Sequence, residues 1–475
     1  MNTNQLKAKI LDLAIRGKLV PQNPSDGNAA DFLKKLHNIS DNEIPFQIPE
    51  NWCWCRLGQI ADIERGGSPR PIADYLTTND DGINWIKIGD TKKGDKYIVS
   101  VKEKIKPEGI RYSRLVHAGD FLLTNSMSFG RPYILKVDGC IHDGWLVFGN
   151  IDSCISPEFL FQLLSSPFIY QSFKLTAAGS TVNNLNIDRV KQVIFPLPPL
   201  SEQQRIVSAI EKIFEQIDII ETNKFNLKKI IKQTKNKVLD LAIHGKLVEQ
   251  ILQEGNATDL LQKVRDEKTD LLKQKKLKED KKSSFIIKSE DGKHYEHFAD
   301  GTLKYIEEEI PFEIPENWCW CRLPEISNSI LAGGDRPSIC TKEKTSENVV
   351  PIYANAVEKE GLYGFTNKPQ VTEKAITISA RGTIGFTCIR EEPFVPIVRL
   401  IVLVPNLSII QLKYLKSTFD TLLNMTEGSS IPQLTIPSIK TFLFPLPPVE
   451  EQKRIVERIE QIFEQLDVLE KALGE

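Results

Sequence analysis

The chain lacks any long uninterrupted apolar run. Its most apolar stretch, Val395 to Pro405, is 11 residues long and carries Arg399, well short of the roughly 18 that a membrane-spanning helix needs. It reads as a buried strand. The N-terminus scatters Lys7, Lys9, Asp12, Arg16 and Lys18 among its apolar positions, so no signal-peptide core is present and a cytoplasmic protein without membrane contact is expected. Cysteine is sparse, with 8 in 475 residues, too few for a dense disulfide framework. Charge of one sign is also missing: 61 Lys+Arg face 63 Asp+Glu for a formal net charge of -2. That balance excludes an indiscriminate polycation while leaving local patches open.

Signatures of catalysis are absent as well. The sequence holds no G-x-x-x-x-G-K-[ST] phosphate loop and no [ND]-P-P-[YF] tetrapeptide of the kind amino-methyltransferases use. The six histidines, at 37, 117, 142, 244, 294 and 297, show no H-E-x-x-H spacing. A non-catalytic binding protein is the expectation. What is present is an ordinary folding composition, 41% hydrophobic and 26% charged, in a chain long enough for two to four domains.

Internal repetition decides the domain plan. EIPFQIPENWCWCRL at 43 to 57 returns as EIPFEIPENWCWCRL at 309 to 323, with 14 of 15 positions identical. FPLPPLSEQQRIVSAIEKIFEQIDIIE at 195 to 221 returns in closely similar form at 444 to 470, and KILDLAIRGKLV at 9 to 20 returns at 237 to 248. The second linker is 38 residues longer than the first and the second globular domain 17 shorter, and the interiors of the two domains share almost no sequence. Constant ends around divergent middles point to one scaffold presenting two specificities. The expected divisions are an N-terminal helix and linker at 1–42, a first domain at 43–198, a central helix at 199–248, a charged linker at 249–308, a second domain at 309–447 and a C-terminal helix at 448–475.

No Pro or Gly occurs from Ser201 to Ile243, and Ser201 with Gln204 forms an S-x-x-Q capping box after Pro198 and Pro199. Alternating steps of four and three connect Ile206, Ile210, Ile213, Ile217, Ile220, Lys224, Leu227, Ile231, Thr234, Val238 and Leu241, and nine of these eleven are apolar. This heptad pattern predicts a coiled-coil seam. Ile455, Ile459, Ile462, Leu466, Leu469 and Leu473 continue it at the C-terminus, and Leu6, Ile10 and Leu13 at the N-terminus. Each terminus carries the half that the other lacks. The terminal helices are therefore expected to lie antiparallel to the central one in a circular, pseudo-two-fold arrangement. Glu202, Glu211, Glu450, Glu451 and Glu457 are acidic positions of these helices.

The domain interiors alternate short β-like runs with Gly, Pro, Asn and Asp. The first holds INWIKIGD (83–90), KYIVSV (96–101), GDFLLTNS (119–126) and GWLVFGN (144–150), the second AITISARGTIGFTCIR (375–390) and VRLIVLVP (398–405). Helical stretches at Pro157 to Lys174 and Ser408 to Met425 make the class α+β, two mixed α/β domains joined by a long antiparallel helical spacer. From Lys87 to Lys136 eleven Lys/Arg outnumber five acids for a net of +6, whereas 331 to 399 nets +1. The first segment is the footprint expected of a phosphate-backbone contact. The Lys-rich run from Lys263 to Lys288 reads as a solvated helix and loop.

Over essentially its whole length the plan resembles the specificity subunit of Type I restriction-modification systems. The resemblance rests on the repeated F-P-L-P-P-x-x-E-Q (195–203, 444–452), I-P-E-N-W (48–52, 314–318), the G-G-[SD] turns (66–68, 333–335) and S-A-R-G-T-I-G (379–385). It implies two target recognition domains, each reading half of a bipartite double-stranded DNA sequence, and helices that dock two methylation subunits. Two restriction/translocase subunits would complete the assembly. S-adenosylmethionine, ATP and Mg would belong to those partners, with no cofactor on this chain. Alternatives are the DNA-reading subunit of a two-subunit Type II-like methyltransferase-nuclease, or a coiled-coil adaptor that binds no DNA.

Base edges are read by paired donors and acceptors, and phosphates are gripped by Lys, Arg and small polar groups. Candidate DNA contacts are therefore Arg65, Ser68, Arg70, Lys92, Lys93, Ser126, Arg131, Thr181 and Asn183 in the first domain. In the second they are Arg336, Ser338, Asn355, Arg381, Thr383, Ser429 and Gln433. No residue is assigned to a metal. In NWCWCRL the Cys53/Cys55 and Cys319/Cys321 pairs alternate with Trp at strand period, and C-x-C lacks the spacing of structural zinc sites. Metal analysis of the purified chain should return less than one zinc ion per chain, and a full equivalent would assign these cysteines to a site.

Overall fold

In the computed structural model the chain forms two compact units, Met1–Lys224 and Phe225–Glu475. Residues 3–32, 39–92, 94–125, 130–151, 153–177, 185–274, 283–382, 384–425 and 434–474 are described. Among them, no helix is long and apolar enough to cross a membrane.

In the first unit a five-stranded sheet runs in the order Asp62–Arg65, Trp145–Gly149, Phe121–Thr124, Pro132–Leu135, Tyr97–Ile98. Its inner strands are buried on both faces because successive side chains feed two cores. Phe121 and Leu123 pack with the helices Pro157–Leu164 and Pro167–Ala177. Leu122, Tyr133 and Trp145 meet residues of a second five-stranded sheet. The second unit repeats this layering. A four-stranded antiparallel sheet in the order Ser327–Ala332, Ile401–Pro405, Ala375–Ile378, Thr387–Arg390 sends Ile376, Ile378, Ile401 and Leu403 to one core. Ala375, Val402 and Val404 belong to the other.

The repeated motifs converge on the start of each long helix. Glu202, fully buried, accepts from Gln22 Nε2 at 2.6 Å, Trp52 Nε1 at 2.9 Å and Asn51 Nδ2 at 3.4 Å. Gln203 donates to Cys154 O at 2.7 Å and accepts from Ser156 N at 2.9 Å, tying the helix start to the cap of Pro157–Leu164. Arg205 pairs through two nitrogens with Asp26, at 2.9 and 2.7 Å. In the second unit Glu451 takes Gln250 at 2.7 Å and Asn317 at 3.1 Å, Gln452 takes Ile409 O and Gln411 N, and Arg454 takes Glu254. Burial pushes the Glu451 carboxyl above its ordinary 4.5 despite these donors. Trp318 stands by the same carboxylate, but its indole N–H has no partner of hydrogen-bond geometry among the described residues. Gly17, at φ 67°, closes the N-terminal helix where a Cβ would stand 2.4 Å from Pro49 Cγ, and Gly245 does the same against Pro315.

Each unit pairs its terminal helix antiparallel to its part of the central helix Leu200–Ile243. Thr3–Ile15 sets Thr3 against Glu221 and Lys7 against Asp218. Val449–Gly474 sets Asp467 and Glu470 against Lys235 at 2.6 and 2.9 Å. The seam is not evenly buried. Ile206, Ile210, Ile217, Ile231 and Val238 are at most 7% exposed, whereas Ile220 and Leu227 are 50% and 40% exposed.

Several sequence readings are corrected. The central helix begins at Leu200 with Pro199 O accepting its first N–H groups, so Ser201 is no cap and its hydroxyl donates to Asp26 at 2.8 Å. Pro157 to Lys174 is two helices, broken where the Ser166 hydroxyl accepts from Ile169 N and Pro167 has no N–H to continue the ladder. Val395 to Pro405 is not one strand: Val395–Pro396 and Ile401–Pro405 lie in different sheets with a turn between them. Glu202 and Glu451 are buried in the clasp rather than turned to a partner.

The segment expected as a charged linker is folded, with helix Ala257–Lys273 and a three-stranded sheet at Ser284–Lys288, His294–Phe298 and Leu303–Tyr305. Ile286 and Ile306 cover Trp320, which is 2% exposed, while Trp54 of the first unit stays half-buried against Phe46 and Phe168. Beside each Trp in its own strand, Cys55 and Cys321 point to carbonyls of the partner strands and are fully buried, and burial pushes the Cys53 thiol to about 11 and Cys319 to about 12. Among the described residues no group of three or more His, Cys, Asp or Glu could hold a metal ion.

Replacing Glu202 with Ala strands the buried Trp52 indole N–H and leaves Gln22 and Asn51 to water, and should destabilise the first unit by about 2 kcal/mol, with Glu202→Gln losing less. Urea unfolding followed by tryptophan fluorescence measures both variants.

Candidate nucleic-acid interface

The G-G turns earn their glycines by close backbone approach. At the end of strand Asp62–Arg65, Gly66 N–H donates to Trp145 O at 3.0 Å and Gly67 N–H to Ile141 O at 3.2 Å. A Cβ on Gly66 would stand 2.2 Å from His142 O, and one on Gly67 2.5 Å from Tyr112 O. The turn His142–Trp145 is thereby locked beside Arg65, Ser68 and Arg70, and all three meet Asp143. Arg65 Nε donates to its carbonyl at 2.7 Å, Ser68 Oγ to Oδ1 at 2.9 Å and Arg70 to Oδ2 at 3.4 Å.

Burial opposes ionisation of Asp143, but the Ser68 hydroxyl and the charges of His142, Arg65 and Arg70 outweigh it and hold the carboxyl below its ordinary 3.8. Burial pushes the neighbouring His142 ring below 6.5. Backbone N–H groups of Gly144, at 2.7 Å, and Ile88, at 3.1 Å, face its two nitrogens, and two donors there disfavour the doubly protonated ring.

A third loop joins this cluster. Asn125 N–H donates to Gly144 O at 2.7 Å, and Arg131 N–H closes the hairpin onto the Thr124 hydroxyl at 2.9 Å. Asn125 is 1% exposed, and its side-chain oxygen and nitrogen have no partner among the described residues. Lys92 is exposed on a separate turn, where its carbonyl accepts the Tyr133 hydroxyl at 3.2 Å. Part of the +6 segment is paired internally: Lys87 pairs with Glu103, Arg114 with Glu64, and Lys96 with Glu211 of the central helix at 2.9 Å.

The second unit assembles the corresponding loops with different chemistry. Gly333 N–H donates to Leu400 O at 2.8 Å, and a Cβ on Gly333 would stand 2.6 Å from the Pro396 carbonyl carbon. Asn355 bridges the other two loops, donating from Nδ2 to Val398 O at 2.7 Å and accepting Ala380 N–H at Oδ1 at 2.8 Å. Its amide is thus engaged inside the protein. Arg336, Ser338 and Arg381 are exposed, and the Tyr363 phenol beside Arg336 pushes that guanidinium's pKa up.

Of the candidate contacts, Arg65, Ser68, Arg70 and Arg131 belong to the first loop cluster and Arg336, Asn355 and Arg381 to the second. Lys93, Ser126, Thr181, Asn183, Thr383, Ser429 and Gln433 lie outside the described residues. Asp143, Asn125 and Arg399 were not among the sequence candidates. For Arg399 the signal was available, since it is the sole charge in an 11-residue apolar run.

A family model described as the Type I restriction modification DNA specificity domain matches residues 49–229 and 315–475. The chain is 26% identical over 406 residues to the Type I restriction enzyme EcoAI specificity subunit of Escherichia coli. It is 25% identical over 416 residues to the EcoEI specificity subunit of the same species. These alignments take in 68% and 69% of this chain and 62% of each relative. The fold is similar to the crystal structure of the HsdS subunit from Thermoanaerobacter tengcongensis, with a TM-score of 0.57, 20% identity, and coverage of 90% of this chain and 93% of that one.

Because Asp143 titrates lower in the folded chain, its contribution to stability is complete above the unfolded value near 3.8 and fades as pH falls through the lowered folded value. Asp143→Asn should therefore be less stable than the parent at pH 6, and the difference should shrink on acidification towards pH 3. Thermal unfolding of both proteins across that range checks the sign.

Proposed function

Since the chain belongs to the Type I restriction-modification DNA specificity family, whose model covers 49–229 and 315–475, we propose that it is the DNA-reading subunit of such a complex. The supporting observation is the loop cluster built once on each unit: a G-G turn, a turn entering the second strand of the sheet, and a hairpin loop, joined by backbone hydrogen bonds in the first unit and by backbone bonds together with the Asn355 amide in the second. Rigid strands hold the loops in place while loop sequence varies, the arrangement that suits recognition. The recognition domains are taken as 43–198 and 309–447, each reading one half of a bipartite double-stranded DNA target.

Chemistry is assigned to partners. Methylation subunits, two per complex, would carry S-adenosylmethionine and dock on the helices. Restriction/translocase subunits would bring ATP and Mg. The work of this chain is positional: arginines and lysines grip phosphates, and side chains on the loop clusters read base edges. A subunit whose charges largely cancel, and whose first basic segment is partly paired internally, grips DNA modestly by itself.

Exchange of residues 43–198 for the corresponding domain of another specificity subunit should change one half of the methylated motif and leave the other intact. Mapping genomic adenine methylation before and after the exchange reads this directly. A motif unaltered by the exchange, or altered in both halves, contradicts the proposal.

A further inference from the structure

The apolar run around Arg399 breaks at a turn whose two central residues are unsuited to it. Val398 and Arg399 have φ of 54° and 59°, and Leu400 N–H closes the turn onto Ile397 O at 3.1 Å. Consecutive left-handed residues define the primed hairpin turn, which favours Asn-Gly because L side chains are strained there and β-branched ones most of all. The strain is held from several sides. Val398 N–H donates to Gly334 O at 2.9 Å, Arg399 N–H to Gly333 O at 3.0 Å, and Asn355 Nδ2 to Val398 O at 2.7 Å.

Folding gains nothing visible in return. Val398 is 57% exposed, and Arg399 is exposed with no ion pair or side-chain hydrogen bond among the described residues. A strained backbone that its surroundings over-determine, carrying side chains that bury nothing, marks a position kept for what it presents. The corresponding turn of the first unit, His142–Trp145, lacks paired positive φ values. It carries Asp143, whose carboxylate is occupied by Ser68 and Arg70.

We infer that the Val398-Arg399 turn is a base-reading element of the second domain, with the Arg399 guanidinium reading a guanine in its half of the target. The inference rests on the DNA-reading function proposed above. A phosphate contact needs only charge within reach, which a relaxed, mobile loop supplies. A guanine contact needs the planar fork held square to O6 and N7, and that requires a fixed Cα. The strained turn, pinned by the Gly333-Gly334 segment and by Asn355, fixes it. In this scheme Asn355 is a positioning residue whose amide holds the turn.

The test uses the chain assembled with its host's methylation subunits, with the parent complex run in parallel. Arg399→Ala should relax the methylated motif at one guanine of the second half, reducing discrimination there about 5- to 150-fold, and leave the first half unchanged. Arg399→Lys should keep affinity and salt dependence yet lose the same discrimination. Val398→Asn with Arg399→Gly relieves the turn, so its unfolding temperature should equal or exceed the parent's while that guanine is no longer read. A uniform loss of affinity with a shallower salt slope and an unchanged motif would make Arg399 a phosphate contact and overturn the inference. So would no change at all. A parent complex that methylates no bipartite motif would instead fail the proposed function, and the inference with it.

Discussion

A buried carboxylate at the start of each long helix holds each unit together. Glu202 and Glu451 sit in dry surroundings that penalise their charge, and the side chains around them answer that penalty. Those side chains come from distant parts of the chain: the segment after the preceding helix supplies Gln22 or Gln250, and the segment opening the domain supplies Asn51 and Trp52 or Asn317. Neighbouring Gln203 and Gln452 reach the other way, into the backbone of the helical layer. A helix that would otherwise only pack by its apolar stripe is thereby fixed in direction relative to its own sheet.

The clasp explains why the repeats are near-identical while the interiors diverge. Every member of such a network depends on the others, since removal of one partner leaves the rest buried and unsatisfied. The loop clusters carry no such mutual constraint. In the first unit the turn entering strand Trp145–Gly149 holds an acid that gathers arginine and serine around it. In the second, an asparagine amide bridges the turn to a hairpin loop and the charge at the turn is positive. The two units thus share layers and backbone hydrogen bonds while presenting different functional groups.

Charge followed the same division. The near-zero total conceals acids and bases of which some are used inside the fold: Lys96 reaches Glu211, Arg205 grips Asp26, and Arg322 lies buried between Glu296 and Glu309. Glu296 comes from the 38 extra residues of the second copy, whose three-stranded sheet also covers Trp320. An insertion that reads as a solvated linker by composition therefore completes a core. Its alternation of apolar and polar residues runs only three to five residues per strand, too short to stand out beside a lysine-rich helix.

The repeats, the heptad seam and the α+β class were legible in the sequence because each is a local pattern copied at long range: identical motifs, a 3.5-residue period, short strands bounded by turns. The antiparallel pairing of terminal helices with the central helix followed from which half of the seam each terminus carries. Helix boundaries were less legible: the Ser201 hydroxyl serves Asp26 rather than a cap, and Ser166 with Pro167 breaks what read as one helix. The loop clusters were legible in residue type but not in role. Asn355 read as a DNA contact, yet its amide is engaged between Val398 O and Ala380 N. Arg399 read as the one charge in a buried strand. Both outcomes depend on backbone groups far away in sequence, the Gly333-Gly334 segment above all, which force two consecutive left-handed residues where the local sequence favours extended chain. Local chemistry determined which elements form; only the meeting of distant backbones decided which side chains are consumed in holding them and which are left to face a partner.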